Sequence, residues 1–443
     1  MRQWCLLIVC FSYAYAGDHG FSGTAEQRHE DMIEHYQNPP EVSWWDRKYL
    51  TGDWKGGRKK LADDGVTVGS SYVADILGNP IGGEARGIAF AGSFGLDLTV
   101  DIGRHTALKG LTFYVSMVGR TGTNLSADKI GNQFPVAQVY GGQNIRLNEL
   151  YLKQALWNKN LVIQAGRLNA GNYFLQSELY YKFVNNGFDG NPISVFFNGP
   201  FTAYPNATWG ALVQFYPYKR LLIKVAAFVA NPDVSKNSYH GFNWSFNGSD
   251  GTQLITEWSW RVNRLEEDKG YPGNYRAGYF YYTDMSGEKY LGGHFHGNYG
   301  YYFLIDQMVY RQGGPESDRG LTPFVAILFA PKDSNPLPFY IASGLVYKGL
   351  FPSRPQDFTN LGYLYGKYST DQRAAQRLAQ KMKLLGPFGN QPQNFESIVE
   401  LNHWFQVNPW FIIVPDVQYV INPKGFGTIP NALVIGTQVS VTF

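Results

Sequence analysis

The strongest constraint on this chain is a hydropathy period of two that recurs from Val66 to the last residue. In 93–101, Phe94, Leu96, Leu98 and Val100 alternate with Ser93, Gly95, Asp97, Thr99 and Asp101. In 433–443, Leu433, Ile435, Thr437, Val439, Val441 and Phe443 alternate with Gly436, Gln438, Ser440 and Thr442. Successive side chains of a strand point to opposite faces, so this pattern describes strands with two different surroundings. About sixteen such segments can be marked, from 66–76 and 91–102 through to 410–421 and 432–443. Most have about the ten residues that a tilted strand needs to cross a bilayer, whereas soluble strands average about 5–6.

The connections support the same architecture. Gaps after odd-numbered segments are long, and those after even-numbered ones are short. An even strand count, long outer loops and short periplasmic turns are the pattern of an outer-membrane barrel. The predicted fold is therefore all-β: a closed antiparallel transmembrane β-barrel of about sixteen strands over 66–443, with a short N-terminal helix and long outer loops. A barrel this wide is expected to have a wet lumen, with polar positions inward and apolar positions toward lipid. Tyr216, Tyr218, Trp404, Trp410 and Tyr419, near strand ends, are expected in interfacial girdles.

Composition removes the competing classes. Aromatics make up 16% of the 443 residues, Gly numbers 50, and charged residues are 16%, against about 25% in a typical soluble protein. The net charge of +3 is too small for nucleic acid to be the main partner. Residues 1–16 read as a signal peptide, with Arg2, an apolar Trp4–Phe11 core and the cleavage site Ala14-Tyr15-Ala16. Both cysteines, Cys5 and Cys10, lie within it, so no disulfide or thiolate metal site is expected in the mature chain. Residues 17–65 read as a polar tail followed by a short periplasmic helix. Thr51 or Asp53 is positioned to cap that helix, Gly65 to end it, and Arg58, Lys59 and Lys60 to form a solvated face. No metal-spaced His/Glu helix, nucleophile elbow or phosphate loop is present, so no cofactor and no enzyme activity is expected. A hydrolase on a barrel remains the enzymatic alternative.

Several segments stand out as motifs: Leu50-Thr51-Gly52-Asp53-Trp54, Gly82-Gly83-Glu84-Ala85-Arg86-Gly87, Arg146-Leu147-Asn148-Glu149-Leu150-Tyr151, Gly166-Arg167-Leu168 and Phe183-Val184-Asn185-Asn186-Gly187-Phe188. The most specific is Asn408-Pro409-Trp410 with Pro415-Asp416-Val417-Gln418-Tyr419-Val420-Ile421-Asn422-Pro423. Together they resemble the carbohydrate-selective porin family, the OprB-like porins. The resemblance implies a sixteen-stranded channel in the outer membrane of a Gram-negative-type bacterium that passes carbohydrates by facilitated diffusion. A general diffusion porin is the alternative within this class. The implied partners are carbohydrate solutes, outer-membrane lipid and, through the Phe443 strand, the barrel assembly machinery; a homo-oligomer is left open.

Sugars are neutral and hydroxyl-rich, so a lining must offer weak, exchangeable hydrogen bonds. By strand phase, Asp75, Asp97, Glu149, Lys153, Lys224, Glu257, Asp306, Lys348, Glu396, Glu400, Asp416 and Gln418 are expected to point inward, because charge on the lipid face is costly. Arg167 joins this set of candidate lining residues. The connection 170–206 is rich in Phe and Tyr, which does not suit a floppy exterior loop, and it is expected to fold inward and narrow the pore. Arg86 is carried over from the resemblance as an eyelet residue. Thr370–Leu385 reads as a helix within an outer loop.

Overall fold

A computed structural model describes residues 43–140, 143–188, 190–246, 250–265, 268–383 and 391–443. The signal peptide expected at 1–16, both cysteines and nearly all of the tail expected at 17–43 lie outside these residues. The strands are β1 (Val66–Ile81), β2 (Gly87–Asp101), β3 (Leu111–Gly122), β4 (Asn144–Leu156), β5 (Leu161–Leu168), β6 (Thr208–Tyr218), β7 (Leu221–Val229), β8 (Thr252–Val262) and β9 (Gly273–Glu288). They continue as β10 (His294–Gln307), β11 (Tyr310–Arg311), β12 (Gly320–Phe329), β13 (Phe339–Lys348), β14 (Phe358–Lys367), β15 (Phe395–Asn408), β16 (Phe411–Ile421) and β17 (Ala432–Thr442).

All pair antiparallel in one sheet, and β17 closes on β1 with Tyr72 opposite Val441 and Asp75 opposite Gln438. The result is a closed sixteen-strand barrel with one extra short strand, β11, where the chain leaves β10 before turning into β12. Closure leaves no unpaired edge, the condition for crossing a bilayer with strands. Among the described residues no helix is long and apolar enough to do so.

The first hairpin is longer than the hydropathy pattern indicated. β1 and β2 run on past 76 and begin before 91, and the turn between them is only Gly82–Arg86. Two glycines make this tip possible. Gly82 and Gly83 have φ of +75° and +77°, and a Cβ on Gly82 would lie 1.7 Å from the carbonyl oxygen of Asn431. The tip thus packs directly on the backbone of the β16–β17 loop, and glycine is the residue that permits this approach.

At the short-turn end, a helix spans Gly57–Asp63. Its cap residue is Gly56, with no side-chain cap, although Asp53 accepts the Lys59 N–H at 3.1 Å. Arg58 departs from the solvated face expected for it. It is buried beneath the rings of Trp54 (3.9 Å) and Tyr49 (4.4 Å), and donates to the carbonyls of Gly52 and Val68 and to the Thr51 hydroxyl. The second expected helix spans Thr370–Lys381, with the Ser369 hydroxyl accepting from the N–H groups of Asp371 and Gln372.

The interior differs most from expectation. The lumen is not simply wet: a large apolar cluster lies inside the barrel. From the wall, Phe324, Tyr340, Leu364 and Ile398 point inward. They meet Phe134, Tyr180, Phe183 and Phe188, which come from two long connections folded into the barrel. Phe183 and Phe188 stack at 4.5 Å, and Phe183 meets Phe324 edge-on at 5.6 Å. Two of the expected girdle residues belong to other surroundings. Trp404 is buried on the inner face against Phe358, and Trp410 is buried under Trp44, donating its Nε1–H to the Trp44 carbonyl at 3.2 Å. Tyr218 and Tyr419 are exposed.

Candidate functional site

The inner face is uneven. Along β12–β15 it carries the bulky apolar side chains that meet the loops, beside polar ones such as Asn360, Glu396 and Glu400. Along β17, β1, β2 and β3 small and polar side chains (Ser440, Gln438, Ser71, Asp75, Ser93, Gly95, Asp97, Ser116 and Arg120) alternate with apolar ones such as Val434, Leu77, Tyr114 and Val118. The inward loops bury their apolar side chains against β12–β15 and touch other strands around the barrel, among them β3, where Arg120 donates to the Gln138 carbonyl at 3.4 Å.

The loop 169–207 enters the barrel and is held by side chains of the wall. Glu149 accepts from the Asn169 N–H (2.9 Å) and Asn172 Nδ2 (2.7 Å). Glu257 accepts from the Leu175 N–H (3.2 Å), the Tyr302 hydroxyl (3.1 Å) and Lys224 Nζ (3.3 Å). Lys224 also donates to the Tyr173 carbonyl at 2.6 Å. Asp306 accepts from the Ser177 hydroxyl (3.1 Å) and pairs with Arg264 (3.4 Å) and Arg276 (3.3 Å). Glu400 accepts from two consecutive N–H groups, Val184 (2.7 Å) and Asn185 (3.1 Å), and Gln418 accepts from Asn185 Nδ2 (2.8 Å). A buried N–H left without an acceptor is costly, and these wall groups supply the acceptors that an inward loop cannot obtain from a sheet.

A second loop, described over 123–140, also folds inward, which the hydropathy pattern did not indicate. Glu396 accepts from the N–H groups of Gln133 and Phe134, and Gln418 donates to the Val136 carbonyl at 2.9 Å. The two loops join through Gln138 N–H to Val184 O (3.0 Å) and Asn186 N–H to Pro135 O (2.9 Å). The available signal was the apolar series Leu125, Ile130, Phe134 and Val136 in a connection expected to face water. Asparagines were missed as well. Asn360 and Asn402 both donate to the Lys182 carbonyl, and Asn298 donates to that of Asn198. Asparagine is disfavoured in strands, so its presence at inward positions was itself informative.

The remaining candidates are placed as follows. Asp97 accepts from the Tyr114 hydroxyl at 2.6 Å, Asp75 from Gln438 Nε2 at 2.9 Å, and Asp416 from Gln418 Nε2 at 2.8 Å. Lys348 is buried against Asp318, and Lys153 is half-buried between Thr112 and Gln164. Arg167 donates to the carbonyls of Asn243 and Ala207. It stands in a row with Arg146 and Arg120 on β5, β4 and β3. Arg146 reaches Asn206 and the carbonyls of 234–236. Its inward direction depends on a bulge: Ser116 pairs with Glu149 but Met117 with Leu147, so the phase of β4 switches at Asn148.

Arg86, the eyelet candidate, is exposed at the β1–β2 tip, where the Glu84 and Ala85 N–H groups donate to the Ile130 and Lys129 carbonyls of the second loop.

Residues 85–443 match the family described as carbohydrate-selective porin, OprB family. The chain belongs to that family. It is 28% identical over 421 residues to Porin B of Pseudomonas aeruginosa, covering 89% of this chain and 91% of that one. It is 24% identical over 419 residues to a putative porin, QuiX, of Acinetobacter baylyi, covering 90% and 94%. Among solved structures, that of Pseudomonas putida OprB at high pH superposes with a TM-score of 0.84 at 27% identity, covering 91% of this chain and all of that one. The porin is therefore a channel of the outer membrane for carbohydrates, surrounded by lipid, and its family and fold are those of a channel rather than an enzyme.

Proposed function

We propose that neutral mono- and small oligosaccharides pass by facilitated diffusion through a water-filled passage between the wall of β17–β1–β2–β3 and the two inward loops. The observation that carries this reading is the row of small and polar side chains on the inner face of β17, β1, β2 and β3: Ser71, Ser93, Asp75, Gln438 and Arg120 stand there as hydrogen-bonding groups. Such groups exchange bonds with sugar hydroxyls without holding them tightly, which conduction requires.

In this reading Glu149, Glu257, Asp306, Glu396, Glu400 and Gln418 act on solutes indirectly, by fixing the loops that set the width of the passage. Asp97, Lys153, Arg167, Lys348 and Asp416 help to set the electrostatics of the wall. The long-loop end faces outward, and the short-turn end, with the helix Gly57–Asp63, faces the periplasm. Residues 1–16 direct export, and the barrel assembly machinery engages the strand that ends at Phe443. Liposome swelling with purified protein tests the function. Sugars should permeate faster than amino acids and salts of similar size. Equal permeation by all three classes would make the channel a general diffusion porin, and no permeation would overturn the reading.

A further inference from the structure

We infer that the β7–β8 loop, over 237–246, crosses the wall beyond the end of β5 and presents Phe242, Trp244 and Phe246 to outer-leaflet lipid, as a membrane anchor on the outside of the barrel. The inference does not depend on which solutes pass through the channel. It uses the proposed orientation only for the choice of leaflet.

The wall leaves room for such a crossing. β5 has eight residues and stays paired with β4 as far as Arg167, opposite Leu150; the chain then turns inward. β4 reaches to Asn144, so Asn144–Glu149 extend beyond the end of β5. The loop lies along this extension. The Leu147 N–H donates to the His240 carbonyl (2.9 Å), His240 Nδ1 to the Ile145 carbonyl (2.7 Å), and Asn144 Nδ2 to the Asn237 carbonyl (3.1 Å). Backbone groups that β5 does not reach thus find partners in the loop. Gly241 permits the approach: its φ is +75°, and a Cβ there would lie 2.1 Å from the Leu147 carbonyl oxygen.

Two arginines hold the loop. Arg146 donates to the carbonyls of 234–236 from the inner side. Arg167 holds it from the outer side. On β5, Val162 and Gln164 are buried inward and Ile163 and Ala165 are exposed outward, so Arg167 follows the outward phase. Its cross-strand partner Trp209 shares that phase with Ala211 and Val213 of β6. A bare charge on this face would meet lipid, yet Arg167 is only 1% exposed. The loop covers it: the guanidinium donates to the Asn243 and Ala207 carbonyls and lies 5.3 Å from the Trp244 ring centroid.

Trp244 is therefore seated on the outer face. Its carbonyl accepts from Trp209 Nε1 at 3.3 Å, the two rings lie 5.7 Å apart, and the Phe242 ring lies 6.2 Å from Trp244. Phe242, Trp244, Phe246 and the neighbouring Ile145 are all exposed. This patch continues the lipid-facing surface of β4 and β6 at the strand ends, the level of the headgroup boundary, where aromatic side chains are favoured. Lipid is the occupant because the patch has no break from the face that lipid already covers.

Residues 17–443 contain no cysteine, so an introduced one carries a single nitroxide label. Phe242→Cys and Phe246→Cys are labelled in vesicles of phosphatidylcholine and phosphatidylglycerol, with the boiled-versus-unboiled gel shift confirming folding. Leu254→Cys on the outward face of β8 is the lipid reference, and Leu291→Cys at the exposed β9–β10 tip is the water reference. Oxygen, which concentrates in lipid, should relax the labels at 242 and 246 several-fold more than a water-soluble nickel chelate does, as at 254, and the order should reverse at 291. Adding Arg167→Ala or Gly241→Val should shift both loop labels several-fold toward nickel in barrels that keep the gel shift. Labels at 242 and 246 with the nickel preference of 291 would overturn the anchor. So would labels shielded from both reagents with spin–spin broadening between chains, which would make the patch an interface between copies. Unchanged accessibility in both folded variants would remove the seating role of Arg167 and Gly241. Nickel preference at 254 itself would overturn the outward phase of the wall beneath the inference.

Discussion

The carboxylate of Glu400 accepts two successive backbone N–H groups while fully buried. Replacing it with alanine strands both donors, at about 1–3 kcal/mol for each unsatisfied group. The loop should then detach locally within an intact barrel, so Glu400→Ala is expected to give noisier, higher single-channel conductance with a normal gel shift. Quiet wild-type conductance in the folded variant would argue against the tether. Arg86 leads to the opposite expectation. It is exposed at a hairpin tip, where charge is screened by salt. Arg86→Ala should leave sugar block of ion current unchanged and alter only salt-sensitive ion preference; planar-bilayer recordings with and without sugar check this.

At the level of elements, the inward loop 169–207 is part of the core and, in the proposed function, narrows the passage. Its Tyr180, Phe183 and Phe188 cover apolar wall side chains that would otherwise face water. Shortening the loop should therefore raise conductance and relax size discrimination, and should also lower the temperature at which the folded band disappears from gels. Higher conductance with unchanged heat resistance would mean that the loop narrows the pore without supporting the wall. The closing seam makes a separate prediction. The Phe443 N–H donates to the Ser70 carbonyl at 2.9 Å and its ring lies 6.1 Å from Phe94, so the last residue joins β17 to both strands of the first hairpin. Deleting Phe443 should reduce the amount of protein reaching the outer membrane more than it reduces transport per folded molecule. Normal membrane levels of the truncated chain would remove the assembly role.

The whole molecule behaves as one closed sheet around an internal core. A barrel without edges gives detergent no strand from which to begin unzipping it. Boiled and unboiled samples should migrate differently on a gel, and identical migration would be inconsistent with closure. Backbone N–H groups and side-chain donors occupy oxygens of the inward carboxylates Glu149, Glu257, Glu396 and Glu400, so these groups are engaged in holding the loops.

The strands, their approximate number, the closure at the last residue and the family were legible in the sequence because each rests on short-range pattern. Alternation within ten residues reports a two-faced strand whatever its partners are. The inward position of the aromatic connection 170–206 was also readable, since so many rings do not stay in water. What lies on the inner face was not. The switch of phase at Asn148 turns Arg146 inward on the same strand as Glu149, and a bulge is visible only against the partner strand. Glu400 holds a loop residue 216 positions earlier in the chain, and Trp404 faces the interior, although its position near a strand end pointed to the lipid boundary. Hydropathy distinguishes apolar from polar, but it does not distinguish lipid from a folded loop as the apolar neighbour. Only the tertiary structure makes that choice, because it depends on which distant segments can reach the wall and satisfy their backbone there.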